Sequence, residues 1–114
     1  MIFDYDKLLE SAGGDKELVD ELISIFKSDC HNQLEAIKKA IDESNPKLLH
    51  ETAHQLKGPL SSMGAYSALD LVIALETMGI NEEMVKAKTG YGELVICIDE
   101  LILSLASLDK VPTR

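Results

Sequence analysis

The chain has 114 residues, the length of one domain, and we predict that residues 1–114 form a single domain. Its formal charge of −9 argues against nucleic acid or an anionic membrane surface as the main partner, because both need a positively charged face. Hydrophobic residues make up 46% of the chain, enough for a continuous core, and the scarcity of aromatic residues makes that core largely aliphatic, as in packed helices.

The N-terminal segment argues against export. Its sequence, MIFDYDKLLE, carries acidic residues where a signal peptide needs a basic stretch followed by an apolar run. No apolar run in the chain approaches the roughly 20 residues of a membrane-spanning helix. We therefore expect a cytoplasmic protein that does not bind a membrane.

Two helices are predicted at the start of the chain. A short helix from about Asp4 to Ala12 should end at Gly13-Gly14, a normal C-terminal signal. Asp15 should cap a long second helix, in which apolar residues recur at three- and four-residue steps. That helix should end at Ser44-Asn45.

The third predicted helix begins with a strong start signal. Asn45 should cap it, and Pro46 occupies its first position, where a missing N–H costs nothing. Apolar spacing continues to about Met63, and Gly64 should stop the helix. This helix is therefore predicted to span the most distinctive part of the sequence.

Two further helices complete the predicted fold. The fourth should run from Ala65 to Met78 and end at Gly79, and Asn81 should open the fifth. Gly90 and Gly92 weaken the fifth helix at about 1 kcal/mol each, so we expect a kink or a break there. Strand patterns are absent. Short connections between long helices predict an all-α fold, an antiparallel four-helix bundle with a short additional N-terminal helix.

A histidine lies on the polar side of the third helix. At about 100° per residue, His54 falls roughly 140° from the centre of the apolar stripe, and His50, Lys57, Gly58 and Ser61 share its side. Such a pattern fits an ordinary solvated helix face. It also fits a phosphoryl carrier, in which Lys57 would pair with the added negative charge and Gly58 would leave room for another protein's active site.

The segment from His50 to Ala65, HETAHQLKGPLSSMGA, resembles the signature of the histidine-containing phosphotransfer (HPt) domain family. In that signature an Ala-His-x-Leu-Lys-Gly core is followed by small residues and Gly-Ala. Leu75-Glu76 followed by Gly79 is similar to the family's next feature, and the Gly13-Gly14-Asp15 segment also resembles it. The likeness covers residues 3–108. It implies a four-helix bundle with an exposed histidine near the middle of one helix.

The resemblance also implies a function. His54 would accept a phosphoryl group from the phospho-aspartate of a response-regulator receiver domain and pass it to another receiver, as a phosphorelay intermediate of two-component signalling. Lys57 would stabilise the phosphoryl group. The expected receiver-docking face contains Gly58, His50, Gln55 and Ser61.

The same resemblance implies the partners and the cofactor requirement. The partners would be response-regulator receiver domains, a hybrid sensor histidine kinase, or both. We expect a monomeric carrier without kinase or hydrolase activity of its own. It should need no cofactor, because the Mg²⁺ that phosphoryl transfer requires would be held by the receiver.

Pro59 departs from the family pattern, which usually has a small residue such as Ser there. Within a helix, proline removes a hydrogen bond and presses on the carbonyl of Gln55, at a cost of about 3 kcal/mol or a kink. Because the apolar spacing stays in phase beyond it, we expect a bent helix that does not end there. The proline also makes the segment similar to the phospho-acceptor box of sensor histidine kinases, although no ATP-binding motif is present. A further alternative is a helical module that binds a receiver without phosphotransfer.

A third alternative is a zinc site. His50 and His54 belong to the string HETAH, which matches the HExxH spacing of metalloprotease helices. A zinc protease would also need a third protein ligand and a substrate cleft that a small bundle lacks. The motif from Lys57 to Ala65 would have no role in such a site, so we predict no metal site.

Overall fold

The computed structural model describes residues 2–108, and all regular structure in that range is helical. The five helices are α1 (Tyr5–Ser11), α2 (Lys16–Asp42), α3 (Pro46–Ser62), α4 (Tyr66–Ile80) and α5 (Met84–Leu108). The predicted all-α class is confirmed. No helix in the range from 2 to 108 is long and apolar enough to cross a membrane.

The long helices α2 and α3 begin where the sequence predicts. Asp15 accepts hydrogen bonds from the backbone N–H groups of Glu17 at 2.9 Å and Leu18 at 3.4 Å. Asn45 accepts one from the N–H of Leu48 at 3.1 Å, with proline in the first turn. Both caps satisfy backbone donors that have no partner within the helix.

The predicted boundary between the last two helices is wrong by a few residues. α4 continues through Gly79 to Ile80, and Asn81 is its C-terminal cap and not the start of α5. The left-handed residue in this loop is Glu82, with φ at 58°, and α5 begins two residues later.

Gly79 serves helix packing. A Cβ atom at this position would lie 2.8 Å from the backbone nitrogen of His50 and 2.9 Å from the carbonyl oxygen of Pro46. The glycine therefore lets the backbones of α3 and α4 come into close contact. A glycine that permits such contact within a helix looks, in the sequence alone, like one that ends a helix.

The break expected near Gly90 and Gly92 does not occur, since α5 is continuous from Met84 to Leu108. Gly90 is buried, and a Cβ atom there would lie 3.1 Å from the Leu75 side chain of α4. Close packing on α4 therefore offsets the low helix propensity of glycine at this position.

α3 passes through Pro59 and reaches Ser62, so the expectation that the proline would not end the helix is confirmed. Beyond it, the N–H of Met63 donates to the carbonyl oxygen of Pro59 at 3.3 Å. A bend at Pro59 stays a prediction.

The four long helices pack in a closed ring. α3 contacts α2 and α4, and α5 contacts the same two helices from the other side. The interior is aliphatic, and its largest fully buried side chains on these four helices include Ile37, Leu49, Leu56, Leu60, Val72, Leu75, Leu94, Ile98, Leu101 and Leu105. Burial of this surface is the main source of stability for such an assembly.

α1 holds the C-terminal end of α3 in place. The N–H of Asp4 donates to the carbonyl oxygen of Met63 at 3.0 Å, and the Ser11 hydroxyl donates to the carbonyl oxygen of Ser62 at 2.8 Å. The acceptors belong to the last residue of α3 and to its C-terminal cap, where carbonyl groups lack partners within the helix. α1 thereby fixes one end of the helix that carries His54.

Candidate functional site

His54 projects from the middle of α3, with 65% of its side chain exposed to solvent. Its neighbours Ala53 and Leu56 are fully buried in the core. The helix is therefore anchored by one face while the imidazole stands on the opposite face. The prediction that His54 points away from the core is confirmed.

Glu76 of α4 connects His54 with Lys57. Its Oε2 atom lies 2.6 Å from Nδ1 of His54, and its Oε1 atom lies 3.0 Å from Nζ of Lys57. The Glu76 side chain is only 12% exposed, whereas that of Lys57 is 33% exposed. One carboxylate thus holds both predicted site residues from the neighbouring helix.

Glu76 is ionised at neutral pH. Burial by itself would raise its pKa, but the hydrogen bonds from Lys57 and His54 and the charges of these two groups outweigh burial and lower the pKa. An ionised carboxylate only accepts hydrogen bonds. The short contact with His54 therefore requires a proton on the Nδ1 atom of the imidazole.

This hydrogen bond fixes the tautomer of a neutral His54. A neutral imidazole carries one N–H, and here that proton lies on Nδ1, between the ring and Glu76. The lone pair is then on Nε2, the outer ring nitrogen of an exposed side chain. A nitrogen in this state is a nucleophile, held in orientation by a carboxylate on a second helix.

An open cleft between α3 and α4 adjoins this pair. It is lined by His50, Glu51, His54, Gln55, Lys57 and Glu76. Four of the six residues predicted for the site therefore line one cleft.

The remaining predicted residues, Gly58 and Ser61, are exposed on the same helix but do not line the cleft. A Cβ atom at Gly58 would meet no atom of residues 2–108 within 4 Å, so packing within this range does not require glycine there. This is the behaviour expected if the open space at Gly58 serves an approaching partner. The docking role of these residues stays a prediction.

Glu76 is the site residue that the sequence analysis missed. The resemblance included Leu75-Glu76, but no role was inferred for the acid. A signal was present: on α4 Glu76 is flanked by the buried residues Val72, Leu75 and Gly79. A charged residue at the edge of a buried stripe needs a partner, and the helical register places that partner on the adjacent helix.

The HETAH string forms no metal cluster within the residues that the structure describes. Nowhere in residues 2–108 do three His, Cys, Asp or Glu side chains come together in a way that could hold a metal ion. The ring centroids of His50 and His54 are 6.3 Å apart, and Nδ1 of His54 is bonded to Glu76.

Residues 21–107 match the family model described as "Hpt domain". The chain belongs to the Hpt domain family. Its role is accordingly histidine phosphotransfer in phosphorelay signalling, and domains of this family typically interact with receiver domains and kinases. The match begins in the second turn of α2 and ends one residue before the end of α5.

A solved structure agrees with the family at the level of the fold. The chain is similar to the histidine-containing phosphotransfer protein B (HptB) of Pseudomonas aeruginosa PAO1, with a TM-score of 0.89 and 19% sequence identity. The alignment covers 98% of this chain and 97% of the HptB chain. Comparison with curated proteins gives no match.

Proposed function

We propose that His54 is the phosphoryl acceptor of this Hpt domain, with Nε2 as the attacking atom. The observation that carries this proposal is the contact of 2.6 Å between Nδ1 of His54 and Glu76. It places the ring proton away from solvent and leaves the Nε2 lone pair on the exposed side. His31 has no comparable contact among the hydrogen bonds of the described residues, although it too is exposed.

The chemical step is an exchange of one bond for another. The Nε2 lone pair attacks the phosphorus of an aspartyl phosphate on a receiver domain, the P–O bond to the aspartate breaks, and its electron pair leaves on the carboxylate. The ring becomes positively charged as the N–P bond forms, and the adjacent Glu76 carboxylate stabilises that charge. The reverse sequence returns the phosphoryl group to the aspartate of a second receiver.

Lys57 would contact the transferred group. Its ammonium carries three donors, of which one is directed to Glu76 at 3.0 Å. The others would donate to oxygens of a phosphoryl group carried by Nε2 of His54. Glu76 thus orients the nucleophile and the cation together, and this chain contributes positioning while the receiver contributes Mg²⁺.

We further propose the following arrangement and setting for the chain. The closed ring of contacts among α2, α3, α4 and α5 supports an antiparallel four-helix bundle with α1 as the additional N-terminal helix. The exposed positions His50, Gln55, Gly58 and Ser61 would form the receiver-docking face of a monomer. Relay from a hybrid sensor histidine kinase depends on ATP, which is consistent with a cytoplasmic setting.

The test is to incubate the chain with phosphorylated receiver domains and to search for acid-labile, base-stable phosphate. We expect labelling of the wild type and none of His54→Gln, whose fold should be unchanged because the side chain is exposed. His31→Gln is the matched control and should label normally. Labelling that persists in His54→Gln contradicts the proposal, and receiver binding without any labelling would favour the phosphorylation-independent module.

A further inference from the structure

His50 is the second imidazole beside the acceptor. It lies one helical turn before His54 and lines the same cleft, with the two ring centroids 6.3 Å apart and the ring planes inclined at 44°. Its backbone is fixed from behind by the close approach of Gly79 on α4. The ring is therefore held at the edge of the cleft on a rigid part of α3.

The two nitrogens of the His50 ring differ in their surroundings. Nδ1 is buried and has no hydrogen-bond partner among residues 2–108. A neutral ring carries a single N–H, and a proton on Nδ1 would be buried without an acceptor. The proton is better placed on Nε2, so that His50 presents one N–H donor on the side of the cleft.

A phosphoryl group on His54 would require such donors. It brings three acceptor oxygens and a charge of about −1.5 to −2. Within the cleft, Glu51 and Glu76 are carboxylates that donate no hydrogen bond when ionised. Lys57 is the one lysine or arginine among the described lining residues. Lys57 lies one turn after His54 and His50 one turn before it, and both line the cleft beside the His54 ring.

We propose that His50 contacts the phosphoryl group, with its Nε2–H donating to a phosphoryl oxygen carried by Nε2 of His54. The inference rests on the proposed role of His54. His50 forms and breaks no covalent bond. It stabilises phosphohistidine relative to free histidine, slows its hydrolysis and shifts the transfer equilibrium towards this chain.

The test separates phosphoryl contact from receiver docking by using a small phosphoryl donor, phosphoramidate, with no receiver present. The full chain is phosphorylated, freed of reagent, and followed for loss of phosphate in the wild type, His50→Ala and His50→Gln. His31→Ala is the matched control, since His31 is an exposed histidine of α2. Thermal melting of each variant is measured in parallel.

We expect His50→Ala to lose phosphate about two- to tenfold faster than wild type, the range of a typical net hydrogen bond, because the open cleft lets solvent screen the charge of the phosphoryl acceptor. His50→Gln keeps an N–H donor and should decay more slowly than His50→Ala, and His31→Ala should behave as wild type. Equal lifetimes for wild type and His50→Ala, or equal acceleration by Ala and Gln, would overturn the inference.

The same assay distinguishes failure of this inference from failure of the proposed function. If His54→Gln takes up no phosphate while His50→Ala behaves as wild type, His54 remains the acceptor and only the role of His50 is wrong. If His54→Gln is still labelled, the assignment of the acceptor is wrong, and the inference about His50 is wrong with it.

Discussion

The contact between α3 and α4 contains two adjoining regions of opposite character. Around Gly79 the backbones lie so close that a single added carbon would be 2.8 Å from the nitrogen of His50. One turn away along α4, Glu76 holds the helices together through polar contacts with His54 and Lys57. The first region leaves no room for a side chain, and the second faces a cleft. The comparison indicates that tight packing sets the helix spacing at which one carboxylate reaches both site residues.

The largest effect on phosphotransfer should come from removing the polar contacts that Glu76 makes with His54 and Lys57. Glu76→Ala deletes the acceptor of the Nδ1 proton and the anion next to the ring, so neither the tautomer of His54 nor its developing charge is supported. We expect phosphorylation by a phospho-receiver to slow by about tenfold to hundredfold, the range of a charge-assisted hydrogen bond. Rapid-quench labelling measures the rate.

Asp70→Ala is the matched control for this experiment, because Asp70 is an exposed acid on the same helix. It should transfer phosphate at the wild-type rate. If Glu76→Ala also transferred at the wild-type rate, the carboxylate would have no part in orienting His54, and the polar region would be only a packing feature.

Substitution of Gly79, in the closely packed region, should change the stability of the fold. Gly79→Ala places a Cβ atom against backbone atoms of α3 and should lower the free energy of unfolding by about 1–3 kcal/mol, as overpacking does. Gly92→Ala of α5 is the matched control. Its Cβ atom would meet nothing within 4 Å in the described part of the chain, so it should raise stability by up to about 1 kcal/mol through helix propensity.

Urea denaturation of both variants measures these changes. A stabilising effect of alanine at both positions would show that the helices separate at no cost, and that Gly79 does not set their spacing. A loss of phosphotransfer in Gly79→Ala larger than its loss of stability explains would connect helix spacing directly to the geometry at Glu76.

A smaller effect concerns pH. The pKa of Glu76 is lowered in the folded chain, so its ionised form contributes stability above the unfolded pKa of about 4.3, and that contribution is lost as the pH falls through the lower folded pKa. Glu76→Gln should therefore cost about 0.5–1.5 kcal/mol at pH 7, the range of a typical net hydrogen bond. The difference should shrink below pH 4.

Denaturation of wild type and Glu76→Gln across this pH range measures the difference, with Asp70→Asn as a control for the loss of one negative charge. A gap between wild type and Glu76→Gln that stays constant from pH 7 to pH 3 would mean that the ionisation of Glu76 does not stabilise the fold.

The sequence predicted the features that depend on local signals. Asp15 and Asn45 cap their helices because a polar side chain before an apolar periodic run satisfies free N–H groups. The exposure of His54 followed from its angle to the apolar stripe. Such features are determined within a few residues of the chain.

Features that depend on two helices at once were missed or misread. The sequence predicts a helix end at Gly79, although the role of this glycine is set by the backbone of α3 some thirty positions earlier. Glu76 received no role because its partners lie 22 and 19 residues away. Helical periodicity shows which face of a helix is buried, but it does not show which residue of a neighbouring helix meets it.

The most direct test of the account is to locate the phosphorus atom. The chain is labelled with ¹⁵N in histidine, phosphorylated by a phospho-receiver, and examined by ³¹P and ¹⁵N NMR in the wild type and in His54→Gln. We expect a phosphorus–nitrogen coupling to Nε2 of His54, with the proton retained on Nδ1 facing Glu76. A phosphorus atom on Nδ1 of His54, or on His31 or His50, would contradict it.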